Sequence, residues 1–379
     1  MLILLTSPSA LHSLGTIDQG IVDSLIATRA AGNPVGVVSN HAKPDWFDQK
    51  FAGKNVNFVK AQGRQSGKVV AFNADKFKLK PFDVLVLAHN DEDIQMGKNG
   101  GAVLVAAGWS GSSQVRDLGI RVDNAQQLNE VVSLTSNWSG QWWFSGSASG
   151  YSVMALADLS GFAVTDAQAV FGRKLTSTVK SGGSRLNALL AVAARSLLMT
   201  GIGEVKDLVW GVYPSSNSKN DDTETLSDFT HRLRTTVSRV RYAARGEPLF
   251  IRHSASPKRS GGGGGDRNDP SSQIQTIHLN PYYKKSNRLV NKNVILVDDC
   301  TTYGVSFGVA AAFLKKAGAK SVVGVAMGKF GDRLSSYDIK INSDPYFPVG
   351  KTDYTLVKSL KFPGNTNAAA QQTLHSIIV

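Results

Sequence analysis

The chain has one cysteine, Cys300, among 379 residues. Internal disulfides and a cysteine-built zinc site are thereby excluded. A reducing, cytoplasmic environment is the simplest expectation. Long apolar runs are also missing: no stretch of about 20 such residues occurs, so no transmembrane helix and no membrane partner are expected. The opening MLILL is too short for the apolar part of a secretory signal and has no basic residues before it. Acidic side chains are few beside basic ones, 29 Asp and Glu against 42 Lys and Arg, for a formal net charge of +13. That balance suits a phosphorylated or polyanionic partner; a generally basic surface accounts for it equally well. Hydrophobic residues make up 42% of the chain, enough for real cores. The length exceeds one average domain, so two are expected.

What is present is organised around residues 293–330, NVILVDDCTTYGVSFGVAAAFLKKAGAKSVVGVAMGKF. Val294 to Val297 form a continuous apolar run, the pattern of a strand buried in a parallel sheet. Two carboxylates follow, Asp298 and Asp299, then a loop of Cys300, Thr301, Thr302, Tyr303, Gly304, Val305 and Ser306. Apolar residues at 307, 309, 310, 313 and 314 predict a helix ending at Ala317-Gly318, and 322–327 predict the next strand. Ligands of such βαβ units bind beyond the carboxyl ends of the strands. Free N–H groups at a helix start hold phosphate, and Gly304 allows the backbone to approach it closely. Two carboxylates beside that nest suit a vicinal diol or a hydrated Mg2+. Phosphate, diol and metal together describe a phosphorylated ribose.

This segment resembles the signature with which type I phosphoribosyltransferases bind 5-phosphoribosyl pyrophosphate (PRPP). Asp298, Asp299, Thr302, Gly304 and Ser306 carry the match. Tyr303 departs from it, because a Thr or Ser whose hydroxyl touches the 5′-phosphate usually stands there. The resemblance implies that Asp298 and Asp299 are catalytic and hold the ribose hydroxyls, directly or through Mg2+. It implies a phosphate cradle of Thr301, Thr302, Tyr303, Gly304, Val305 and Ser306. Upstream, DLVWGVYPSS at 207–216 is an apolar strand and a Pro-Ser turn. It is similar to the pyrophosphate loop of the ComF-like branch of that family, through Tyr213, Pro214, Ser215 and Ser216, with Lys219 as a neutralising cation. A plain turn gives the same letters. The stretch at 253–273, HSASPKRSGGGGGDRNDPSSQ, holds too many Gly, Ser and Pro residues to pack. In the family a mobile lid stands here, which implies Lys258 and Arg259 as catalytic cations on the departing pyrophosphate, with Arg267 beside them. A surface loop with incidental charge is the alternative.

Earlier in the chain, apolar runs at 2–5, 34–40, 84–87 and 102–107 read as strands, and 16–30 and 124–134 as helices. Such alternation implies a parallel α/β sheet. The segment LVLAHNDEDIQMGKNGGAVLVAAGW, 85–109, resembles the fourth motif of haloacid dehalogenase-like (HAD) hydrolases, where an acidic loop holds Mg2+. Asp93 matches the last acid of that loop, with Asp91 or Glu92 nearby. Ser39 matches the phosphate-binding hydroxyl of the second motif, and Lys78 or Lys80 the lysine of the third. The first motif should supply a nucleophilic and an acid/base aspartate after the first strand, yet that place reads Thr6-Ser7-Pro8-Ser9. Without those carboxylates no phospho-aspartate forms and no general acid remains. The resemblance therefore implies a HAD-like fold without phosphatase activity, its vestigial site at Thr6, Pro8, Ser39, Asp91 and Asp93.

The expected architecture is two Rossmann-like α/β domains with mainly parallel sheets. Residues 1–122 are the HAD-like domain, 123–150 a linker or hairpin, and 151–379 the phosphoribosyltransferase-like domain. Residues 151–200 read as mainly helical. Trp142 and Trp143 either stack on a base or pack at the domain junction. From Arg232 to Lys292 the bases outnumber acids 13 to 3, a basic run that suits nucleic acid or a pyrophosphate site. The expected function is binding of Mg-PRPP or a nucleotide with transfer or release of the phosphoribosyl group to an unknown base or acceptor. The alternative is a PRPP or nucleotide sensor without turnover, docking on nucleic acid or protein in a bacterial stress or defence system. A homo-oligomer is compatible with either.

Overall fold

Short apolar runs alternate with helices to build a six-stranded, all-parallel sheet from the first 122 residues. The computed structural model describes residues 1–13, 15–148, 150–160, 165–183, 185–238, 247–257 and 266–378. Strand β1 (Ile3–Thr6) leads to helix α1 (Gln19–Ala30), capped by the Asp18 carboxylate on the Ile21 N–H. There follow β2 (Val35–Ser39), β3 (Asn57–Lys60), α2 (Lys68–Lys76), β4 (Val84–Ala88), α3 (Asp91–Gly100), β5 (Val103–Ala107) and β6 (Ile120–Val122). The order across the sheet is β3-β2-β1-β4-β5-β6, with every pair parallel. This is a doubly wound order whose switch point lies between β1 and β4. Strands β1, β2, β4 and β5 are buried along their whole length, as strands covered on both faces must be.

Helix α4 (Ala125–Asn137) belongs to the same unit, its first turn capped by Asn124. Then β7 (Phe144–Ala148) and β8 (Tyr151–Asp158) form an antiparallel hairpin of a second sheet. The linker expected at 123–150 is thus a helix of one unit and a strand of the other. Residues 151–158, expected to be helical, are β8, with Tyr151, Val153 and Ala155 buried in strand alternation. Helix α5 (Asp166–Ser181) stays with the second unit, whereas α6 (Leu186–Met199) returns to the first. There the Trp138 indole N–H donates to Ser196 Oγ at 2.9 Å. After β9 (Leu208–Val212), helix α7 (Thr225–Val237) begins in the second unit and enters the first at His231.

The rest of the second unit comprises β10 (Phe250–Arg252), β11 (Ile277–Leu279), β12 (Asn293–Thr301), α8 (Val305–Lys316) and β13 (Ser321–Lys329). It ends with β14 (Ser335–Ile341), β15 (Tyr354–Lys361), β16 (Gly364–Thr366) and α9 (Ala368–Ile378). The second sheet has the order β9-β12-β13-β8-β7-β16; the first four are parallel and the last two antiparallel. β10–β11 and β14–β15 are separate antiparallel pairs. The first unit comprises Met1–Gly140, Ser184–Glu204 and His231–Ala243, and the second Gln141–Gly183, Val205–Thr230 and Ala244–Val379. The division falls at 140 rather than 122, and two later segments join the first unit. Among the described residues no helix is long and apolar enough to cross a membrane.

Candidate functional site

Strands β9 and β12 are parallel neighbours with Val212 opposite Val297, and the Tyr213 N–H donates to the Val297 carbonyl at 3.0 Å. The Pro-Ser loop after β9 and the acidic loop after β12 therefore leave the sheet side by side, at its carboxyl edge. Asp298 is 8% exposed; its Oδ1 accepts the Asp299 N–H at 2.9 Å, and its carboxylate is hydrogen-bonded to the Ser306 side chain. Burial, and then the neighbouring Asp299 charge, push the Asp298 carboxyl well above the usual carboxylate range. Asp299 is half-buried, lies 3.6 Å from Lys180 Nζ and accepts the Cys300 N–H. Burial raises the Cys300 thiol pKa as well, followed by the two aspartates, so this cysteine is no ready nucleophile.

Gly304 precedes helix α8 with φ +77, in the left-handed region. A Cβ there would lie 2.7 Å from the Ser335 carbonyl oxygen and 2.9 Å from Leu334. Glycine thus lets the loop turn sharply into the helix. The first N–H groups of α8, from Val305 onward, have no intrahelical acceptor and face the loop end of the helix. The Thr301 and Val305 side chains are buried, while Thr302 and Ser306 are half-buried. The Tyr303 hydroxyl accepts from Arg333 at 3.0 Å, and its ring lies 5.8 Å from the Arg267 guanidinium. Its phenol is thus engaged by two arginines.

In the neighbouring loop, Tyr213 is 6% exposed, donates to Gln273 Oε1 at 2.8 Å and packs on Phe250. It is a core residue and not the ligand contact expected of it. Ser215 is exposed and donates to Glu224 at 3.1 Å; Ser216 is half-buried and Lys219 exposed. Lys258 and Arg259 lie outside the described residues. Trp142 is buried, and Trp143 packs against the Lys329 ammonium at 5.2 Å.

At the switch point of the first sheet, Asp93 is wholly buried and paired with Arg64, itself 6% exposed. Ser7 Oγ donates to Asp93 at 2.7 Å, and the His89 N–H donates to the same carboxylate at 2.9 Å. Arg64 also reaches Asn90 Oδ1 at 3.3 Å, and Asn90 Nδ2 donates to Ser9 Oγ at 3.0 Å. Thr6 Oγ1 donates to the Leu87 carbonyl, Pro8 starts a short 3-10 turn, and Ser39 Oγ accepts the His41 N–H. Asp91 is exposed in the first turn of α3. The side chains at this crevice therefore bond to one another, with a guanidinium against the acid matched to a metal ligand. Neither Lys78 nor Lys80 supplies that cation: Lys80 lies at the start of a separate 3-10 turn, where its backbone N–H is capped by Asp83.

Comparison of the chain with protein-family models, with curated proteins and with solved structures finds no match. Among the described residues no group of three or more His, Cys, Asp or Glu side chains is placed to hold a metal ion. Two residues escape the sequence reading. Arg64 and Arg252 are both buried, and no motif or periodicity announces a buried arginine. The one available signal for Arg252 is a charge closing the apolar run LFI.

Proposed function

We propose that the second unit binds PRPP, or a nucleotide, at the carboxyl edge of its sheet. The observation that carries this reading is the pairing of β9 with β12, which sets a Pro-Ser loop beside a diacid loop that ends in a left-handed glycine and a helix start. The helix start and Thr302 would take the 5′-phosphate, Asp299 and Asp298 the ribose hydroxyls, and the 214–217 loop the pyrophosphate. Mg2+ fits Asp298 and Asp299, since burial and then the Asp299 charge raise the proton affinity of Asp298, and a cation relieves both. With two carboxylates present, the remaining Mg2+ ligands would come from the substrate and water. When bound, the ion would neutralise charge on the pyrophosphate. The chain's own contribution is orientation: two loops fixed by one pair of strands hold the two ends of the ligand in register.

Isothermal titration with Mg-PRPP tests this directly. The wild-type chain should bind, and Asp298→Asn/Asp299→Asn should lose at least about ten-fold in affinity. Equal affinity in both would sink the reading. A second reading, a sensor without turnover, is favoured by Tyr303, whose hydroxyl is held by Arg333. Assaying pyrophosphate release from PRPP with a panel of bases separates the two, and steeply salt-dependent binding to RNA or DNA without turnover supports the sensor. For the first unit we propose a HAD-like fold without phosphatase activity, because Arg64 holds Asp93 and Thr6 and Pro8 replace the two reactive acids. Magnesium-dependent hydrolysis of an aryl phosphate by the purified chain would refute that.

A further inference from the structure

Arg252 is a buried cation without an ion-pair contact among the described residues, although the Glu224 charge attracts it. It is 5% exposed, and among the described residues no carboxylate lies within ion-pairing distance of its guanidinium. Nη1 donates to Thr276 Oγ1 at 2.6 Å; Nη2 donates to the Pro214 carbonyl and to Gln273 Oε1, each at 3.1 Å. Nε has no partner. Burial lowers the guanidinium pKa from its ordinary value, although an arginine stays protonated. A buried unpaired charge is expensive unless it serves a purpose.

Its purpose is legible in the loop it holds. Three successive carbonyls of that loop have protein donors: Pro214 accepts from Arg252, Ser215 from the Ser218 N–H at 3.3 Å, and Ser216 from the Ser256 N–H at 3.1 Å. The N–H groups of Ser215, Ser216 and Asn217 have no protein acceptor among the described residues. In a planar trans peptide the N–H points opposite to the preceding carbonyl. The guanidinium, by holding the Pro214 carbonyl inward, therefore turns the Ser215 N–H outward. The Ser218 and Ser256 N–H groups fix the Ser215 and Ser216 carbonyls, and with them the opposed N–H groups of Ser216 and Asn217. Successive outward N–H groups form an anion-binding concavity. The guanidinium charge behind it, which Glu224 offsets in part, adds a favourable potential.

We propose that Arg252 is a positioning residue that presents the backbone N–H groups of Ser215, Ser216 and Asn217 as a cradle for the pyrophosphate group of the ligand. The inference rests on the phosphoribosyl reading for the identity of the anion. It replaces the side chains of Tyr213 and Ser215 with backbone donors. Arg252 does not touch the ligand; it acts through the Pro214 carbonyl. Glu224, hydrogen-bonded to Ser215, opposes the anion and tunes the site down.

The test uses the full chain labelled with 15N and inorganic pyrophosphate as the probe. The amides of Ser215, Ser216 and Asn217 should shift on titration. Arg252→Met should weaken pyrophosphate binding about ten-fold or more, and Arg252→Lys by less, since an ammonium still reaches one carbonyl. Should Arg252→Met fail to fold, Thr276→Val removes the bond that orients Nη1 and must weaken binding with the arginine intact. Pyrophosphate that binds without moving those three amides overturns the proposal, as does full affinity in a folded Arg252→Met or Thr276→Val chain. Amide shifts with pyrophosphate, but PRPP binding that ignores Asp298→Asn/Asp299→Asn, would uphold the cradle and reject the phosphoribosyl reading. No pyrophosphate binding beside intact PRPP binding would do the reverse.

Discussion

Asp93 is shut off from solvent, and Arg64 is the cation that balances its charge. Removing one partner of such a buried pair leaves an uncompensated charge and costs about 3–5 kcal/mol, whereas replacing both by apolar groups is often neutral. Arg64→Met should therefore lower the urea midpoint sharply, and Arg64→Met/Asp93→Leu should recover most of the loss. Lys98 is a second buried charge. It is 3% exposed, donates to the Ser238 carbonyl at 3.0 Å, and has its pKa lowered by burial to about 7. Glu204 lines the same hollow of the first unit, but burial is what sets the shift. The folded pKa lies below the unfolded value, so between about pH 7 and 10.5 the unfolded chain binds the extra proton. Stability contributed at this site then rises with pH across that window and is flat above it. Lys98→Met should raise stability at pH 7 and flatten the profile between pH 7 and 10, as read from urea unfolding at several pH values. Nothing in the sequence marks Lys98 among so many lysines. Its desolvation comes from α6 and the end of α7, some 100 residues and more downstream.

At the scale of elements, the βαβ segment at 293–329 was legible because its signals are local. A continuous apolar run, a glycine before a helix and 3.6-residue periodicity need no distant partner. The expected strand, helix and second strand all appear; both strands run longer at each end, and the helix starts at Val305 and ends at Lys316, just short of the expected Ala317-Gly318. β8 was not legible. YSVMALAD suits helix and strand alike, and its pairing with β13, Ser152 opposite Val323 onward, decides the matter. Tertiary pairing overrides propensity there. The same βαβ unit depends on Gly324, where a Cβ would sit 2.5 Å from the Phe307 ring. Gly324→Ala should push α8 off the sheet, at a cost of about 1–3 kcal/mol. Because α8 carries the phosphate-facing N–H groups, PRPP affinity should fall with stability, measured by thermal melts and titration on one preparation. Gly304→Ala should weaken affinity more than its melting point suggests. Its φ of +77 lies in the loop itself, and an L-residue there costs about 1–2 kcal/mol.

For the molecule as a whole, two α/β units were predictable from length and alternation, but their border was not. The pattern at 186–199 says that the helix is buried and is silent about which sheet it covers. In the structure α6 belongs with α4, and Leu128, Val131 and Val132 of α4 are buried. A fragment of residues 1–140 should therefore expose that face, bind a hydrophobic dye and unfold at lower urea than the intact chain. A fragment as stable as the whole would contradict the partition. The chain passes from one unit to the other five times. During synthesis this has a temporal consequence. The first sheet is complete once residue 122 has emerged, yet the last segment of its unit runs to residue 243. At roughly 5–20 residues per second, a nascent first unit waits on the order of ten seconds for its last helices. Through that interval its apolar face is open to chaperones, and the ribosome, rather than the linker, sets when the unit can close.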